Sequence, residues 1–502
     1  MPNTADVIWT HADTAPGSIA IRAEDTVWTY AELRDRITTV MACLRDELAV
    51  GPGDRVLLVT PSVPEFAAAY YGIHAAGAIA VTANTMSTAP ELEYIAGDAG
   101  VCAVLAWHAA DGAVRQIAAI LGVPCLRLDP ELRRLTGREH VAAETPYPAA
   151  EDDTATLIYT SGTTGRPKGA ELTHGNLTAC ARTFATVFDV GPEDRGGTAL
   201  PLFHVFGQAA VMACTFHAGA SLSLLSRFDP AALLAMIRRD RLTFVSGVPT
   251  MWNAMLRAAD GVDPAAFTSL RLASSGGASL PGEVLRAFEE RFGCAIVEGY
   301  GLTETTAAAT YHPLGLPAKP GFVGRALPGC ELAVRDFDGK DLPPGEIGEI
   351  HIRGPIVMKG YWNRPDATAE ALQDGWLRTG DLGAFDTEGD LRIAGRVKEM
   401  IIRGGYNVYP LEVEEVLYRH PDIVEAAVIG IPDEHYGEEI AAAIVLRPGA
   451  TVDAGALSDW ARQQLSAYKV PRAFAIGGEL PKGPSGKILK RALDPASFTI
   501  AP

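Results

Sequence analysis

Cysteine is scarce and scattered: the 502 residues hold seven, Cys43, Cys102, Cys125, Cys180, Cys214, Cys294 and Cys330. No two are spaced Cys-x-x-Cys, and none pairs with histidine at zinc-ligand spacing, which argues against a zinc module or a disulfide framework. Free thiols in a reducing cytoplasm fit this usage. Cations are in deficit, 43 Lys and Arg against 61 Asp and Glu, giving a net −18 at pH 7. Nucleic acid and anionic membrane both need a broad cationic surface, so neither is an expected partner. The first basic residue is Arg22, so a secretory leader is not expected and a cytoplasmic location is. No uninterrupted apolar run reaches the ~20 residues of a transmembrane helix. Residues 66–90 and 196–226 lack formal charge, but His74, Gly77 and Asn84 break the first, and Pro201, His204, Gly207, Gln208 and Gly219 the second. They read as buried core or as the wall of an apolar ligand tunnel.

What is present is apolar material in quantity, 48% hydrophobic against 21% charged, enough for two to four domains at about 150 residues each. Residues 30–48 place Leu33, Ile37, Val40, Met41 and Leu44 at helical spacing. Short apolar runs at 55–59, 101–106 and 123–128 read as buried strands, with a small-residue helix at 64–76. The alternation resumes from 195 to 298, with strands at 197–200, 221–225, 243–246 and 270–274 and helices at 206–215, 230–238, 250–257 and 282–292. This pattern predicts parallel sheets covered by helices. Beyond about 323 the texture changes to short β runs, such as 331–335 and 349–353, between Gly and Pro turns. An α+β unit follows Gly395, with strands near 423–430 and 440–446 and a helix at 456–465. Near the end the charge reverses: Lys469, Arg472, Lys482, Lys487, Lys490 and Arg491 meet only Glu479. On its own that island is as readily a solvated face as a binding surface.

The strongest local signal is Thr160-Ser161-Gly162-Thr163-Thr164-Gly165-Arg166-Pro167-Lys168-Gly169, a loop leaving the apolar run 156–159. Glycines let backbone approach an anion, hydroxyls and amides donate to phosphate oxygens, and lysine adds a point charge. It does not fit GxxxxGK[ST], so an ordinary P-loop is not indicated. This loop resembles the phosphate-binding signature of the acyl-adenylate-forming enzymes, a family that includes acyl-CoA synthetases, coumarate-CoA ligases, nonribosomal adenylation domains and firefly luciferase. Further motifs follow in the family's order. Glu298-Gly299-Tyr300-Gly301-Leu302-Thr303-Glu304 is similar to its Tyr-Gly-x-Thr-Glu motif, and Thr379-Gly380-Asp381 to its Thr-Gly-Asp motif. Gly395-Arg396-Val397-Lys398-Glu399 resembles the hinge, Gly404-Gly405-Tyr406 the glycine loop behind it, and Pro484-Ser485-Gly486-Lys487 the terminal lysine motif. The likeness runs from about Trp28 to Arg491.

The resemblance implies a large N-terminal domain, residues 1–396, of helix-covered sheets, with a β-rich part about 323–396, hinged to a small mobile α+β C-terminal domain, 397–502. It implies ATP, Mg²⁺ and CoA as cofactor and co-substrates. Thr160, Ser161, Gly162, Thr163, Thr164 and Lys168 are expected on the β- and γ-phosphates, Thr303 on the α-phosphate and Glu304 on Mg²⁺. Asp381 and Arg396 are expected at the ribose; Gly276, Gly277, Ala278, Glu298, Gly299 and Tyr300 at the adenine. Lys487 is expected to bridge the substrate carboxylate and the α-phosphate. Lys398 is the expected hinge about which the C-terminal domain swings for the second step; Lys487 then leaves, and Arg403, Gly404 and Gly405 are the expected lining of the thiol channel. The basic residues Lys469, Arg472 and Lys482 gain a second reading, attraction of CoA phosphates or an acidic carrier protein.

Pro201 to Gln208 corresponds to the family's Phe-His motif, with His204 between acyl pocket and thiol channel. Phe206, Gly207, Val248, Met251, Ser275, Gly301 and Thr305 are expected pocket walls, and none is charged. No Asp stands near His204 to hold an α-amino group, and no extra cation suits a dicarboxylate. An apolar monocarboxylate remains, fatty acid first and aromatic acid second. Residues 300–313 resemble bacterial fatty-acid ligases slightly more than plant coumarate ligases. A ligase that loads an acyl carrier protein is the close alternative. A luciferase-type oxygenase shares every motif, and a non-catalytic relative is disfavoured by the joint presence of Lys168, Glu304, Asp381, Arg396 and Lys487.

Overall fold

The structure, a computed structural model, describes residues 2–109, 111–132, 145–160, 166–483 and 486–500. Apolar runs too short for helices form strands, the central ones, such as Ile79–Ala83, buried on both faces, as parallel pairing demands. Arg55–Val59, Ile79–Ala83, Ala103–Trp107, Cys125–Leu128 and Thr154–Thr160 pair in parallel. Lys168–Thr173 and Gly360–Tyr361 close one edge of this sheet antiparallel. A second sheet runs Ala295–Glu298, Leu272–Ser275, Phe244–Gly247, Arg195–Thr198, Ser221–Leu224 and Ile19–Ala23, all parallel, ending in antiparallel Thr26–Thr29.

One core fills the space between the two sheets, built from Val56, Leu58, Ala80, Leu222, Val245 and Ala273 with helices Tyr30–Ala42 and Pro64–Ala75. The period of two along a strand sends Leu57 and Val59 to the opposite face, under helices Ala89–Ala99 and Asp111–Leu121. Thr29 and Glu32 form the capping box that starts Tyr30–Ala42. The helix expected over 30–48 leaves α geometry at Ala42 and continues as a wider π-type turn, Cys43–Glu47. The uncharged stretch 66–90 is core throughout its helix Pro64–Ala75 and strand Ile79–Ala83. Among the described residues no helix is long and apolar enough to cross a membrane.

The β-rich part is a five-stranded sheet of Glu331–Arg335, Gly348–Arg353, Leu372–Gln373, Trp376–Phe385 and Leu391–Arg396. Its Val334, Ile350, Leu377 and Leu391 share a core with helix His174–Val187 and the outer face of the second sheet. Residues from Ile401 onward pack separately, around Val413, Leu417, Val428, Ile440 and Phe474. There the hairpin Ile423–Asp433 and Gly437–Leu446 is longer than expected, because Asp433 pairs with Gly437 across a tight connection.

Parallel pairing is what positions the site. The registers Ser246 with Thr198, Gly247 with Ser275 and Ser275 with Glu298 align the carboxyl ends of four strands. Segments leaving these ends form a crevice outside the sheet, the usual place for a ligand in open α/β sheets.

Candidate active site

A cleft of about 2490 Å³ lies between this strand edge and the C-terminal domain. Its floor is made by Gly276, Gly277 and Ala278 after one strand, Gly299 and Tyr300 after the next, and Val248 after a third. Glu298 also faces it. Its Oε1 accepts the Leu280 backbone N–H at 2.9 Å, while Oε2 is buried without a hydrogen-bond partner among the described residues. Burial therefore pushes the carboxyl up to about 8, against the pull of the Leu280 N–H.

The β-rich sheet supplies the next group. Strand pairing sets Asp381 opposite Arg396, and Arg396 Nε lies 3.1 Å from Asp381 Oδ1. The Tyr300 hydroxyl donates to Oδ2 at 2.6 Å. Tyr300 thus binds the large domain's strand edge to the β-rich sheet, a contact its expected place at the adenine did not foresee. Burial lifts the Asp381 carboxyl above its ordinary range, opposed by Arg396, Tyr300 and Lys487.

At the phosphate end, antiparallel pairing places Thr160 opposite Lys168. Ser161, Gly162, Thr163 and Thr164 lie outside the described residues. Lys168, Thr303 and Glu304 all line the cleft. The Lys168 Nζ sits 4.2 Å from the ring centre of Tyr361, whose hydroxyl donates to Glu304 Oε1 at 2.8 Å. Tyr361 carries no sequence signal; it stands in a two-residue strand, and only the tertiary pairing brings it here.

His204, Phe206, Gly207, Val248, Ser275 and Gly301 line the cleft. The Phe206 N–H donates to His204 Nδ1 at 3.3 Å, which leaves the ring proton on Nε2. Burial and the Lys487 charge lower His204 to about 4, so the ring is neutral near pH 7. A Cβ at Gly207 would lie 2.6 Å from the Pro201 carbonyl oxygen, and one at Gly301 would lie 2.3 Å from that of Ala307. Close backbone packing therefore requires glycine at both. Met251 and Thr305 are not walls. Met251 is buried in the core behind Val248, and the fully buried Thr305 hydroxyl accepts the Leu302 N–H at 2.9 Å. The deeper apolar lining comes from Phe184, Phe188, Val205, Val297 and Ala308, which belong to one packed cluster.

Lys487 enters the cleft from the C-terminal domain. Burial and Arg396 lower its amine from the ordinary lysine value, with Asp381 and Glu399 pulling back. The Thr250 hydroxyl, on the large domain, donates to the Gly486 carbonyl at 3.3 Å and anchors this turn. Lys398 lies exposed in the short helical turn Val397–Glu399 at the cleft edge. Arg403 is 6% exposed and forms a bidentate pair with Glu439, at 2.6 and 2.8 Å. Arg403, Gly404 and Gly405 do not line the cleft in this arrangement, in which Lys487 does; their expected place in the thiol channel belongs to the arrangement after the domain swing. The basic island is also largely spent internally. Lys469 pairs with Glu412 at 2.6 Å, Lys482 with Glu425 at 2.6 Å and Lys490 with Glu414 at 2.7 Å, while Arg472 lies 4.0 Å from Glu439. Such pairing does not favour Lys469, Arg472 and Lys482 as a free anion-attracting surface.

The chain matches the AMP-binding enzyme family over residues 8–362 and the AMP-binding enzyme C-terminal domain over 412–487. It is 38% identical to a feruloyl-CoA synthase of Amycolatopsis over 95% of this chain and 96% of that protein. It is 38% identical to a long-chain-fatty-acid–CoA ligase of Bacillus subtilis over 88% and 85%. ATP-bound MatB from Rhodopseudomonas palustris superposes with a TM-score of 0.91 at 34% identity, covering 97% of each chain. The chain belongs to the AMP-binding family and is an AMP-forming acid–CoA ligase. The ligase therefore adenylates a carboxylic acid and passes the acyl group to CoA. The large and small units and the β-rich part described above are the fold shared with these relatives.

Proposed function

We propose that the ligase activates an apolar monocarboxylic acid, a fatty acid foremost. The carrying observation is the acyl end of the cleft, where Phe184, Phe188, Val205, Phe206, Val297 and Ala308 present apolar surface without a charged side chain among them. A second carboxylate or an ammonium there would be desolvated without a partner, which costs several kcal/mol on the order of a buried unpaired ion. An aryl acid is the second reading, supported by the full-length 38% identity to a feruloyl-CoA synthase.

In the first step a substrate carboxylate oxygen attacks the α-phosphorus of ATP, and the bond to pyrophosphate breaks. Charge builds on the α-phosphate and the leaving group, and preorganised cations and donors stabilise it. Lys487 is assigned to the meeting point of carboxylate and α-phosphate, Thr303 to the α-phosphate, and Thr160 to Thr164 with Lys168 to the outer phosphates. Asp381 and Arg396 are assigned to the ribose, and Glu298 with the Gly276–Ala278 backbone to the adenine. The Glu304 carboxylate beside substrate phosphate oxygens is a hard donor set that fits Mg²⁺, which would neutralise phosphate charge. In the second step the CoA thiolate attacks the acyl carbon and AMP leaves. Lys487 lines the cleft in the present arrangement, so we assign thiol entry to a second arrangement reached by turning the C-terminal domain about Lys398.

A pyrophosphate-release screen of straight-chain, benzoic and hydroxycinnamic acids, with and without CoA, tests this reading. Release with apolar acids and CoA-dependent formation of free AMP are expected. Turnover confined to dicarboxylates or amino acids would overturn it.

A further inference from the structure

We propose that Tyr361 is a positioning residue that sets Lys168 and Glu304 in register with one another, its ring carrying the lysine and its hydroxyl the carboxylate. The inference rests on the reading of Lys168 and Glu304 as phosphate and Mg²⁺ ligands, and concerns what holds them.

Lys168 opens the strand Lys168–Thr173, and Glu304 lies in the short turn Thr303–Thr305, so the two come from separate elements. Residues 358–362 touch both. Met358 N–H donates to the Glu304 carbonyl at 2.9 Å, Lys359 N–H to the Glu171 carbonyl at 2.9 Å, and Trp362 N–H to the Gly169 carbonyl at 2.8 Å. Tyr361 N–H is taken by the Thr368 hydroxyl at 2.9 Å, which fixes the backbone from the other side. From this clamped segment the Tyr361 ring lies beneath the Lys168 ammonium at 4.2 Å, and its hydroxyl donates to Glu304 Oε1 at 2.8 Å. A lysine on a flexible four-carbon stem is otherwise free to scatter its charge, and a cation over an aromatic face is held by the ring quadrupole. A carboxylate that accepts a hydrogen bond is oriented by it, as are metal ligands generally by their outer partners.

The two functions separate by substitution. Tyr361→Phe keeps the ring and loses the hydroxyl; Tyr361→Leu loses both. Binding is read without turnover, by calorimetry of ATP in EDTA and by electron paramagnetic resonance of Mn²⁺ in the presence of a non-hydrolysable ATP analogue. Tyr361→Phe should weaken Mn²⁺ binding about tenfold, the lower end for loss of an outer partner, and leave metal-free ATP affinity unchanged. Tyr361→Leu should also weaken metal-free ATP binding, by roughly three- to tenfold for a partly desolvated cation–π contact. Wild-type Mn²⁺ affinity in Tyr361→Phe, or wild-type metal-free ATP affinity in Tyr361→Leu, would overturn the proposal. Equal loss of both affinities in Tyr361→Phe would overturn it too, since it would mark a merely structural role. Glu304→Gln and Lys168→Met serve as controls. If they bind metal and nucleotide as the wild type does, the reading of the site fails and takes this inference with it; if they do not, the Tyr361 variants judge the inference alone.

Discussion

Lys487 stands within reach of the charges of Asp381, Arg396 and Glu399, in a cleft whose walls depress its amine. A cation placed there before the anions arrive needs no reorganisation during reaction. Lys487→Ala is expected to slow acid-dependent ATP–pyrophosphate exchange by about 10²–10³-fold, the cost of one preorganised donor. Exchange at the wild-type rate would remove Lys487 from the first step. Glu298 supports a prediction of a different kind. Its folded-state pKa, near 8, lies above the ordinary carboxylate value, so between about pH 4.5 and 8 the native state holds a proton that the unfolded chain releases. Stability must then fall as pH rises through that window, by up to ~1.4 kcal/mol per unit from this group. Glu298→Gln keeps the acceptor for Leu280 N–H and has no proton to lose. Its thermal midpoint should decline less than that of the wild type between pH 5.5 and 8, measured by calorimetry.

At the scale of elements, the hairpin Ile401–Arg403 with Tyr406–Val408 and the strand Gly437–Leu446 are tied together by the buried Arg403–Glu439 pair. Arg403 also lies 4.2 Å from the Tyr436 ring centre. Removing Arg403 leaves the buried Glu439 with only the more distant Arg472, 4.0 Å away, at a cost of up to roughly 3–5 kcal/mol. Arg403→Ala is therefore expected to make residues 397–502 more open to limited proteolysis and to impair both half-reactions. Loss of thioester formation alone, with unchanged protease resistance, would mark Arg403 as lining the thiol channel and not as a packing residue. The segment Phe206–Ala213 winds as a π-type helix behind the Phe-His motif, a form that recurs at functional sites and sets the Phe206 ring over Gly276.

For the whole molecule, the decisive feature is one cleft with walls from two separately packed units. Among the described residues few side chains bridge them near the site: Thr250 holds the Gly486 carbonyl, and Arg392 lies 3.5 Å from Glu415. Proline is tolerated in the first turn of a helical segment, where its φ is already met, and it resists other conformations. Lys398→Pro, within Val397–Glu399, should leave pyrophosphate exchange near the wild-type rate while thioester formation falls steeply. Equal loss of both half-reactions in rapid-quench assays would place the hinge elsewhere.

The strand runs at 55–59 and 331–335 and the helix at 282–292 were legible residue by residue, because period and punctuation are local properties of a chain. The motifs around Lys168, Glu304, Asp381 and Lys487 could be found by their resemblance to the family, since each is contiguous, and the structure brings all four residues to one cleft. What depends on which strand lies beside which was not legible. Met251 and Thr305 are close in sequence to wall residues, yet turn into the core, because a helix or a tight turn presents only some of its side chains to a cleft. Arg403 and the cations of the basic island meet their carboxylates only across the C-terminal sheet and its helices. Tyr361 reaches Lys168 and Glu304 only because an edge strand from nearly 200 residues downstream pairs with Lys168–Thr173. Sequence alone determined the chemistry and the order of the elements; long-range pairing decided which of those side chains meet, since that choice is made by contacts no local pattern records.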